Sequence, residues 1–382
     1  MHDKIGMYFT GVLYNSKSQT GGIKRFVELA EYICKNNADS VLFSRDNEET
    51  IYSRGINSFV KLTSNKQGKS LLPPEARILL ANKNVIKYIR HEQFDNVIVF
   101  DVPMAIGLML FGVKNVVLMI RKDMIGYEKV SNKNKWKWLK IFYQYICESI
   151  CLYRSRLVIC QCIYDKEVLK YRHPFLKNRI ENKTMVQINN VNPSWVRENS
   201  TIKEIDAVDS KEDCFRVCFI GGFDNPRKGQ DIFLKAAIEL LNRQHDIQFI
   251  LIGGGNRLEE YKRNYRHPNI SFMGRMDNPI SLLRRCDLLV VPSYADSCPN
   301  TVMEGLYNGV PVIGSKAGGI PEILVNPDSL FDLDYKKLAE KILKLVNSPE
   351  LLQALKLQQS TRKRELSFNW SERICNIIAD SF

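Results

Sequence analysis

Short apolar runs and longer amphipathic stretches alternate along the chain. The runs are rich in β-branched residues and show little polar alternation, which is typical of strands covered on both faces of a parallel sheet. The intervening stretches place apolar residues three or four positions apart, as helices that pack on such a sheet do. The pattern therefore predicts an α/β protein built from doubly wound parallel sheets. The predicted strands are residues 5–13, 96–100, 115–120, 157–160, 216–220, 248–252, 270–273, 288–291 and 310–314.

Helical periodicity is found in most of the intervals between these strands.

The chain has 382 residues, which exceeds the size that one hydrophobic core usually supports, so we expect two domains. A polar, acidic stretch at residues 197–213 is the predicted linker or surface excursion. The predicted helices are residues 74–91, 136–153, 230–242, 301–308, 334–346, 349–366 and 369–378, and a further helix opens at Gly21 and Gly22.

The amino-acid composition limits the cellular compartment and the kinds of partner that we expect for the protein. The net charge of +13 implies an acidic partner, which could be nucleic acid, anionic lipid or a phosphorylated substrate. No segment reaches the ~18 apolar residues of a membrane-spanning helix, and the start of the chain shows no cleavable signal. Ten cysteines, several of them in apolar runs, indicate reduced thiols and a cytoplasmic protein. Because histidines at zinc-finger spacing are missing beside these cysteines, a zinc site is disfavoured.

A loop and a short helix, each with one carboxylate, follow the predicted strand 288–291. This loop is expected at the carboxyl edge of the sheet, where open α/β sheets bind ligands. Asn300 is the predicted N-cap of the helix 301–308. That helix carries Glu304 near its amino end, and Asp296 lies in the preceding loop. We therefore expect both carboxylates to face one crevice.

Glycines open two other predicted helices of the second half. Gly318 and Gly319 let the backbone come close to a ligand, and exposed N–H groups at such a helix start suit a phosphate. Lys228 and Gly229 precede the helix 230–242. A cation at this end opposes the helix dipole but suits a bound anion.

Each of these residues also has a purely structural explanation. The helix dipole alone favours a glutamate such as Glu304 in a first turn, and a glycine pair is ordinary turn chemistry. A solvated basic turn would resemble the one at Lys228. The order of the features, more than any single one, favours a ligand site. The contiguous glycines 253–255 are not a dinucleotide fingerprint, because Leu258 stands where its last glycine should be.

The order Pro-Ser, acid, Pro-Asn, Glu, GVPVI and GGIPE resembles the donor-site signature of the retaining glycosyltransferases of the GT-B fold, the glycosyltransferase group 1 or family 4 set. In that family an acid is followed by seven residues and a Glu. Here the pair is Asp296 and Glu304, although Glu is more usual at the first position. The resemblance covers essentially the whole chain and is strongest over residues 215–324. It implies two Rossmann-like domains facing a cleft, with residues 1–192 on the acceptor side, 193–368 on the donor side, and 369–382 packing back on the first.

The resemblance also implies roles for individual residues. Lys228 contacts the diphosphate of the donor, Glu304 takes the ribose hydroxyls, and Asp296 lies near the transferred sugar. Asp123 is the candidate base or orienter in the first domain, although the histidine that often precedes it is absent. Gly222 stands where the family often has Arg, and Arg227 is its candidate substitute. The other implied donor-binding residues are Gly21, Gly22, Arg275, Met276, Asn300, Thr301, Gly318 and Gly319.

The implied reaction moves a sugar from a UDP-sugar, or alternatively a GDP-sugar, to a hydroxyl of a glycan acceptor with retained anomeric configuration. No metal or other cofactor is expected, because N–H dipoles and Lys228 can stabilise the departing diphosphate and no D-x-D pair stands at a strand end. Assembly of a bacterial surface polysaccharide is the expected setting. A catalytically inactive GT-B scaffold subunit and a GT-B nucleotide-sugar epimerase are the alternatives. A nucleic-acid partner is not expected, since charge alone supports it.

Basic and aromatic residues are interleaved at residues 129–145, which favours an anionic membrane surface. A polyprenyl-diphosphate-linked acceptor would require such an approach to the inner face of the cell membrane. The alternative is an ordinary surface helix whose aromatic residues pack inward and whose lysines are solvated. The residues concerned are Lys133, Lys135, Lys137 and Lys140 beside Trp136, Trp138, Leu139, Phe142 and Tyr143.

Overall fold

The structure is a computed structural model in which the chain forms two compact units, each with its own parallel sheet. The first unit comprises the described residues up to Ile125, residues 137–187 and the chain from Asn369 onward, and the second comprises residues 126–131 and 188–368. The predicted linker at 197–213 lies outside the described residues. The structure describes residues 3–9, 12–14, 21–63, 80–100, 102–121, 123–131, 137–191, 214–224, 226–243, 245–276 and 278–381.

The first unit has a seven-stranded parallel sheet in the order β3-β2-β1-β4-β5-β6-β7. Every residue of β1, β4, β5 and β6 is buried, which explains why these strands read as apolar runs. The strands are β1 (Ile5–Tyr8), β2 (Val41–Ser44), β3 (Phe59–Lys61), β4 (Asn96–Val99), β5 (Val116–Ile120), β6 (Leu157–Cys160) and β7 (Thr184–Val186).

Helices connect these strands, as parallel pairing requires. Within the described ranges, no helix combines the length and the hydropathy needed to cross a bilayer. The helices before the second sheet are α1 (Gly21–Asn36), α2 (Glu48–Tyr52), α3 (Lys83–His91), α4 (Val102–Leu110), α5 (Met124–Ser131), α6 (Lys137–Arg154), α7 (Ile163–Arg172) and α8 (Lys177–Lys183).

The second unit has a six-stranded parallel sheet in the order β10-β9-β8-β11-β12-β13. The strands are β8 (Phe215–Ile220), β9 (Ile247–Ile252), β10 (Ile270–Gly274), β11 (Leu288–Val291), β12 (Val312–Ser315) and β13 (Leu330–Phe331). Its helices are α9 (Gln230–Asn242), α10 (Leu258–Asn264), α11 (Ile280–Leu283), α12 (Asn300–Asn308), α13 (Ile320–Leu324), α14 (Tyr335–Val346) and α15 (Pro349–Glu365), and the last helix of the chain, α16 (Trp370–Asp380), lies in the first unit.

The sheet of the second unit is buried on both faces. Val217 and Phe219 of β8 join one apolar cluster with α9 and α14, while Cys218 between them joins another with α12 and α13. This arrangement confirms the predicted fold class of two doubly wound parallel sheets. The strand order reverses between β8 and β11, so the loops that follow these two strands meet at the usual ligand-binding crevice of such a sheet.

The first predicted strand is longer than the observed one. The first strand ends at Tyr8 instead of continuing to residue 13, and the N–H of Leu13 donates to the buried carboxylate of Asp46 at 2.9 Å instead of pairing in the sheet. Helix α3, Lys83–His91, lies within the predicted range 74–91. The residues before 80 on which that prediction rested lie outside the described residues.

Candidate functional site

Backbone hydrogen bonds hold the loop after β8 in one position. The N–H of Gly221 donates to the carbonyl of Ile252 at 2.9 Å, and the N–H of Phe223 donates to that of Gly254 at 2.9 Å. The buried amide of Gln230 donates to the carbonyl of Gly222. The loop is therefore tied to the end of β9 on one side and to the start of α9 on the other.

Gly229 brings this loop against the loop that follows β11. Its φ is +75°, and a Cβ there would lie 1.9 Å from the carbonyl oxygen of Pro292. The N–H of Tyr294 donates to the carbonyl of Arg227 at 2.7 Å. Only glycine fits this close approach, and the two loops consequently meet at the point where the strand order reverses.

An ion pair links the two loops. Nζ of Lys228 lies 2.6 Å from Oδ2 of Asp296, and Nη1 of Arg227 lies 3.9 Å from Oδ1. Arg227 also donates to the carbonyl of Ala295 at 3.2 Å. Asp296 retains 12% and Lys228 22% of the side-chain exposure, so the pair is largely shielded from water. The sequence identified both residues but not their pairing.

The glycine turn before α13 packs on the backbone of Asp296. Gly318 has a φ of +58°, and a Cβ there would lie 2.2 Å from the carbonyl oxygen of Asp296. The N–H of Gly319 donates to that same carbonyl at 3.0 Å. The prediction of exposed N–H groups at this turn is therefore wrong for Gly319, whose N–H instead fixes the loop that carries Asp296.

Helix α12 begins one residue earlier than predicted. Asn300 is its first residue, and Pro299 occupies the N-cap position without a side-chain hydrogen bond, so the predicted cap is wrong. Oδ1 of Asn300 accepts from the side-chain amide of Asn189 at 3.1 Å. Asn189 is fully buried and donates to the carbonyl of Cys298 at 3.2 Å as well. This long-range partner, missed in the sequence, holds the residues on both sides of Pro299.

Glu304 lies one turn along α12 and is half-buried. The following residue, Gly305, packs so closely on the sheet that a Cβ there would lie 2.4 Å from Cγ2 of Val312. The contact fixes which face of α12 meets the sheet. Asn300 and Glu304 are four positions apart and therefore share a side of the helix.

The glycines 253–255 have a packing role at the same edge of the sheet. A Cβ on Gly253 would lie 2.0 Å from the carbonyl oxygen of Gly221, and Gly255 approaches Asp224 in the same way. Arg275 and Met276 follow β10, and Met276 packs on the apolar cluster beneath. These glycines thus serve the contacts between loops, which agrees with the rejection of a dinucleotide fingerprint.

The predicted residues of the second unit all follow a strand's carboxyl end or lie in the helix after it. Within the described residues, no group of three or more His, Cys, Asp or Glu side chains could hold a metal ion. The residues brought to this edge are Gly222, Arg227, Lys228, Arg275, Met276, Asp296, Asn300, Thr301, Glu304, Gly318 and Gly319.

Gly21, Gly22 and Asp123 lie in the first unit. The two glycines are the first residues of α1. Oδ1 of Asp123 accepts from Nη2 of Arg172 at 2.6 Å, and Nη1 of Arg172 lies 2.8 Å from Oε2 of Glu148. Burial lowers the pKa of Arg172, but the two carboxylates outweigh it and raise that pKa overall. Asp123 thus belongs to a charged network with Arg172 and Glu148, which the sequence did not reveal.

Three comparisons relate the chain to known proteins. Residues 214–348 match the family model "Glycosyl transferases group 1". An uncharacterized glycosyltransferase of Methanocaldococcus jannaschii is 31% identical over 222 residues, which are 55% of this chain and 56% of that protein. The capsular polysaccharide biosynthesis glycosyltransferase CapM of Staphylococcus aureus is 26% identical over 30% of this chain and 33% of its own. The chain spans little more than half of the first relative and a third of the second.

The fold has a counterpart that covers nearly the whole chain. The crystal structure of Anabaena HepE in complex with UDP-glucose matches with a TM-score of 0.69 and 18% identity, over 100% of this chain and 99% of that one. At this identity the match shows the fold alone. These matches relate residues 214–348 to the group 1 glycosyltransferases, and the structure of the whole chain has the GT-B fold.

Proposed function

We propose that the protein is a retaining, metal-independent glycosyltransferase that moves a sugar from a nucleoside-diphosphate sugar to a hydroxyl of a glycan acceptor. A UDP-sugar is the proposed donor, with a GDP-sugar as the alternative. The UDP-glucose complex of HepE supports the first choice, since that protein shares the fold. The capsular role in the name of the Staphylococcus aureus relative supports a bacterial surface polysaccharide as the product.

The observation that carries the proposal is the pairing of Lys228 with Asp296 where the strand order reverses. Departure of the diphosphate develops negative charge on its oxygens, and cations held in place stabilise that charge without a metal ion. Lys228 and Arg227 supply two such cations beside one carboxylate. Asp296 keeps the ammonium of Lys228 in one position and can accept a hydrogen bond from a sugar hydroxyl.

The remaining donor contacts are proposed from their places at the same edge. Glu304, half-buried in α12, binds the ribose hydroxyls, because a carboxylate accepts two hydrogen bonds from neighbouring hydroxyls. Arg275 and Met276 follow β10 and bind the base. Asp123, held by Arg172 in the first unit, orients the acceptor hydroxyl or takes its proton.

Release of nucleoside diphosphate from a panel of UDP-, GDP- and ADP-sugars tests this proposal. We expect turnover of one donor class, an acceptor-dependent increase in rate, and no loss of activity on addition of a chelator. Binding of a nucleotide sugar without turnover would support the inactive scaffold instead. Conversion of the donor into its epimer without transfer would support the epimerase.

We also propose that the protein is cytoplasmic and docks on the inner face of the cell membrane to reach a polyprenyl-diphosphate-linked acceptor. Helix α6 supports this, because large apolar side chains stay in solvent along one of its sides while Ile141, Cys147 and Cys151 are buried on another. Lys133, Lys135 and Trp136 lie outside the described residues. The exposed residues, called the α6 stripe below, are Trp138, Leu139, Phe142, Tyr143, Ile146 and Tyr153.

The α6 stripe differs from the alternative in which aromatic residues pack inward. Trp138, Leu139 and Phe142 each expose 62% of their surface. Nζ of Lys137 lies 5.4 Å from the centre of the Trp138 ring, so positive charge accompanies the aromatic residues. Aromatic side chains flanked by basic residues are typical of helices that lie in an anionic interface.

A further inference from the structure

A cavity of about 500 Å³ lies in the first unit beside the second half of α6. The carboxyl end of α4 and the short turn Pro174–Leu176 complete its walls. The volume is within the range of about 300–1,000 Å³ that small-molecule pockets have. The cavity uses none of the residues assigned to the donor or to the acceptor.

The polar side chains of Ser149 and His173, on the floor of the cavity, already form hydrogen bonds. Oγ of Ser149 lies 3.0 Å from Nδ1 of His173, and Nε2 of the same histidine lies 2.7 Å from Oε2 of Glu148. The imidazole also stacks on Tyr145, with ring centres 4.5 Å apart. A hydrocarbon chain suits such a floor better than a polar ligand does, because a polar ligand would have to displace these hydrogen bonds.

The rim of the cavity exposes large apolar side chains. Phe175 exposes 97% of its surface, Leu110 68% and Tyr153 58%. Tyr153 is also the last residue of the α6 stripe, so the rim continues the surface that we propose to meet the membrane. Contiguous exposed apolar surface of this kind marks a binding site.

Positive charge surrounds the same rim. Arg154 lines the cavity, and the guanidinium of Arg179 lies 4.6 Å from the centre of the Tyr153 ring. Residues 153–183 contain eight Lys or Arg and three Asp or Glu, and three of these cations, Lys166, Lys170 and Arg172, are paired with carboxylates. Two copies of this face would repel each other, whereas an anionic lipid surface would be attracted to it.

We propose that this cavity holds one hydrocarbon chain of an anionic membrane phospholipid, with the lipid phosphate beside Arg154 and Arg179. The proposal rests on the membrane docking proposed above and adds a site that a single lipid occupies. The α6 stripe then lies in the interface, and the chain in the cavity fixes the first unit at one depth and orientation.

Calorimetric titration with lysophosphatidic acid below its micellar concentration tests the site, because this probe carries one chain and one phosphate. We expect saturable binding of one molecule to the wild-type protein, with affinity that rises with chain length. Phe175→Asp and Leu110→Asp should each weaken it by about tenfold or more, since an acid then meets the chain at the rim. Arg154→Glu should weaken it through repulsion of the phosphate.

Leu357→Asp is the matched control, because Leu357 in α15 of the second unit is 68% exposed, as Leu110 is. It should bind the probe as the wild type does. All the altered side chains are exposed, so thermal unfolding should change little, and release of nucleoside diphosphate should stay at the wild-type rate.

Several results would overturn the proposal. Equal affinity for glycerol phosphate would show that the chain contributes nothing, and unchanged binding by Phe175→Asp would place the probe elsewhere. A wild-type dimer that Phe175→Asp dissociates would identify a second copy as the occupant. Binding to anionic vesicles without saturable binding of the single-chain probe would remove the chain site while leaving membrane docking and the donor reaction in place.

Discussion

The ammonium of Lys228 lies 2.6 Å from the carboxylate of Asp296, although 68 positions separate the two residues in the sequence. The cation proposed for the diphosphate and the acid proposed for the sugar are thus partners. A phosphate that binds Lys228 must share the ammonium with Asp296, or Arg227 must take over part of the carboxylate. If these roles are correct, we expect the charge of Asp296 to lower nucleotide affinity and to raise turnover.

Asp296→Asn should separate these two effects. The amide keeps the size of the side chain but removes the negative charge, so Lys228 and Arg227 should bind UDP at least as tightly as before. Turnover should fall by about tenfold or more, because the sugar loses a charged hydrogen-bond acceptor. Calorimetry with UDP and initial rates with the donor measure the two quantities. Asp332→Asn, at a surface ion pair with Lys316, is the control. A parallel loss of UDP affinity would place Asp296 at the nucleotide instead.

Gly229→Ala tests the close approach of the loops after β8 and β11. Gly309 is the matched control, because its φ of +69° is similar but no atom lies within 4 Å of the added Cβ. Gly309→Ala should therefore lower the free energy of unfolding by only ~1–2 kcal/mol, which is the cost of a left-handed backbone conformation for alanine. Gly229→Ala should cost about 1–3 kcal/mol more, because the carbonyl of Pro292 must move. Urea unfolding of both variants measures the difference, and equal destabilisation would contradict the contact.

The sequence was sufficient where one local pattern decided the structure. Strand Leu288–Val291 and helix Gln230–Asn242 have the predicted bounds, because a buried apolar run and a glycine before an amphipathic stretch each decide an element locally. The sequence did not predict the structure where a contact with a residue distant in the chain determines it. The predicted strand included Leu13, whose N–H instead donates to the buried carboxylate of Asp46 at 2.9 Å.

The candidate site follows the same division. The spacing from Asp296 to Glu304 identified both acids, yet the pairing of Asp296 with Lys228 depends on loop geometry that no local pattern reveals. Asn300 was assigned as a cap on local grounds, and Asn189, which is 111 positions away, binds it instead. Adjacent asparagines beside an apolar strand, at 189 and 190, were the only signal of a buried polar contact.

Cys375 in α16 should make the protein less stable in alkali. Burial, with a smaller effect of Glu372, raises the pKa of this thiol from 9.0 to about 12. The folded state keeps the proton in a range where the unfolded state releases it, so stability falls as the pH rises above about 9, by up to ~1.4 kcal/mol per unit.

Cys375→Ala should remove this contribution of the thiol to the loss of stability at high pH. Its free energy of unfolding should therefore fall less than that of the wild type between about pH 8 and pH 10.5, with a gap of about 2 kcal/mol by the upper value. Urea titrations at both pH values measure it. Parallel losses in the two proteins would show that the thiol does not contribute.

Membrane docking predicts salt-sensitive binding to vesicles of equimolar phosphatidylcholine and phosphatidylglycerol. Replacement of Lys133, Lys135, Lys137 and Lys140 by Glu should weaken it, because each nearby cation contributes about 1 kcal/mol at an anionic surface. Phe142→Gln should weaken it as well, without a change in salt dependence, because this substitution removes apolar surface and leaves the charge unchanged. A variant with Lys235, Lys336, Lys344 and Lys356 replaced by Glu, all on exposed positions of the second unit, controls for net charge. Vesicle binding that is unchanged by the substitutions within residues 133–142 would contradict docking through this helix.

Turnover by Lys228→Ala and Glu304→Ala tests the donor site most directly. Lys235→Ala and Glu340→Ala are the matched controls, since they remove the same charges from other helices of the second unit. We predict that both site variants stay folded at the assay temperature and lose transfer from the nucleotide sugar by about a hundredfold or more, while the controls stay active. Near wild-type transfer by either site variant would contradict the donor site at the carboxyl edge of the second sheet.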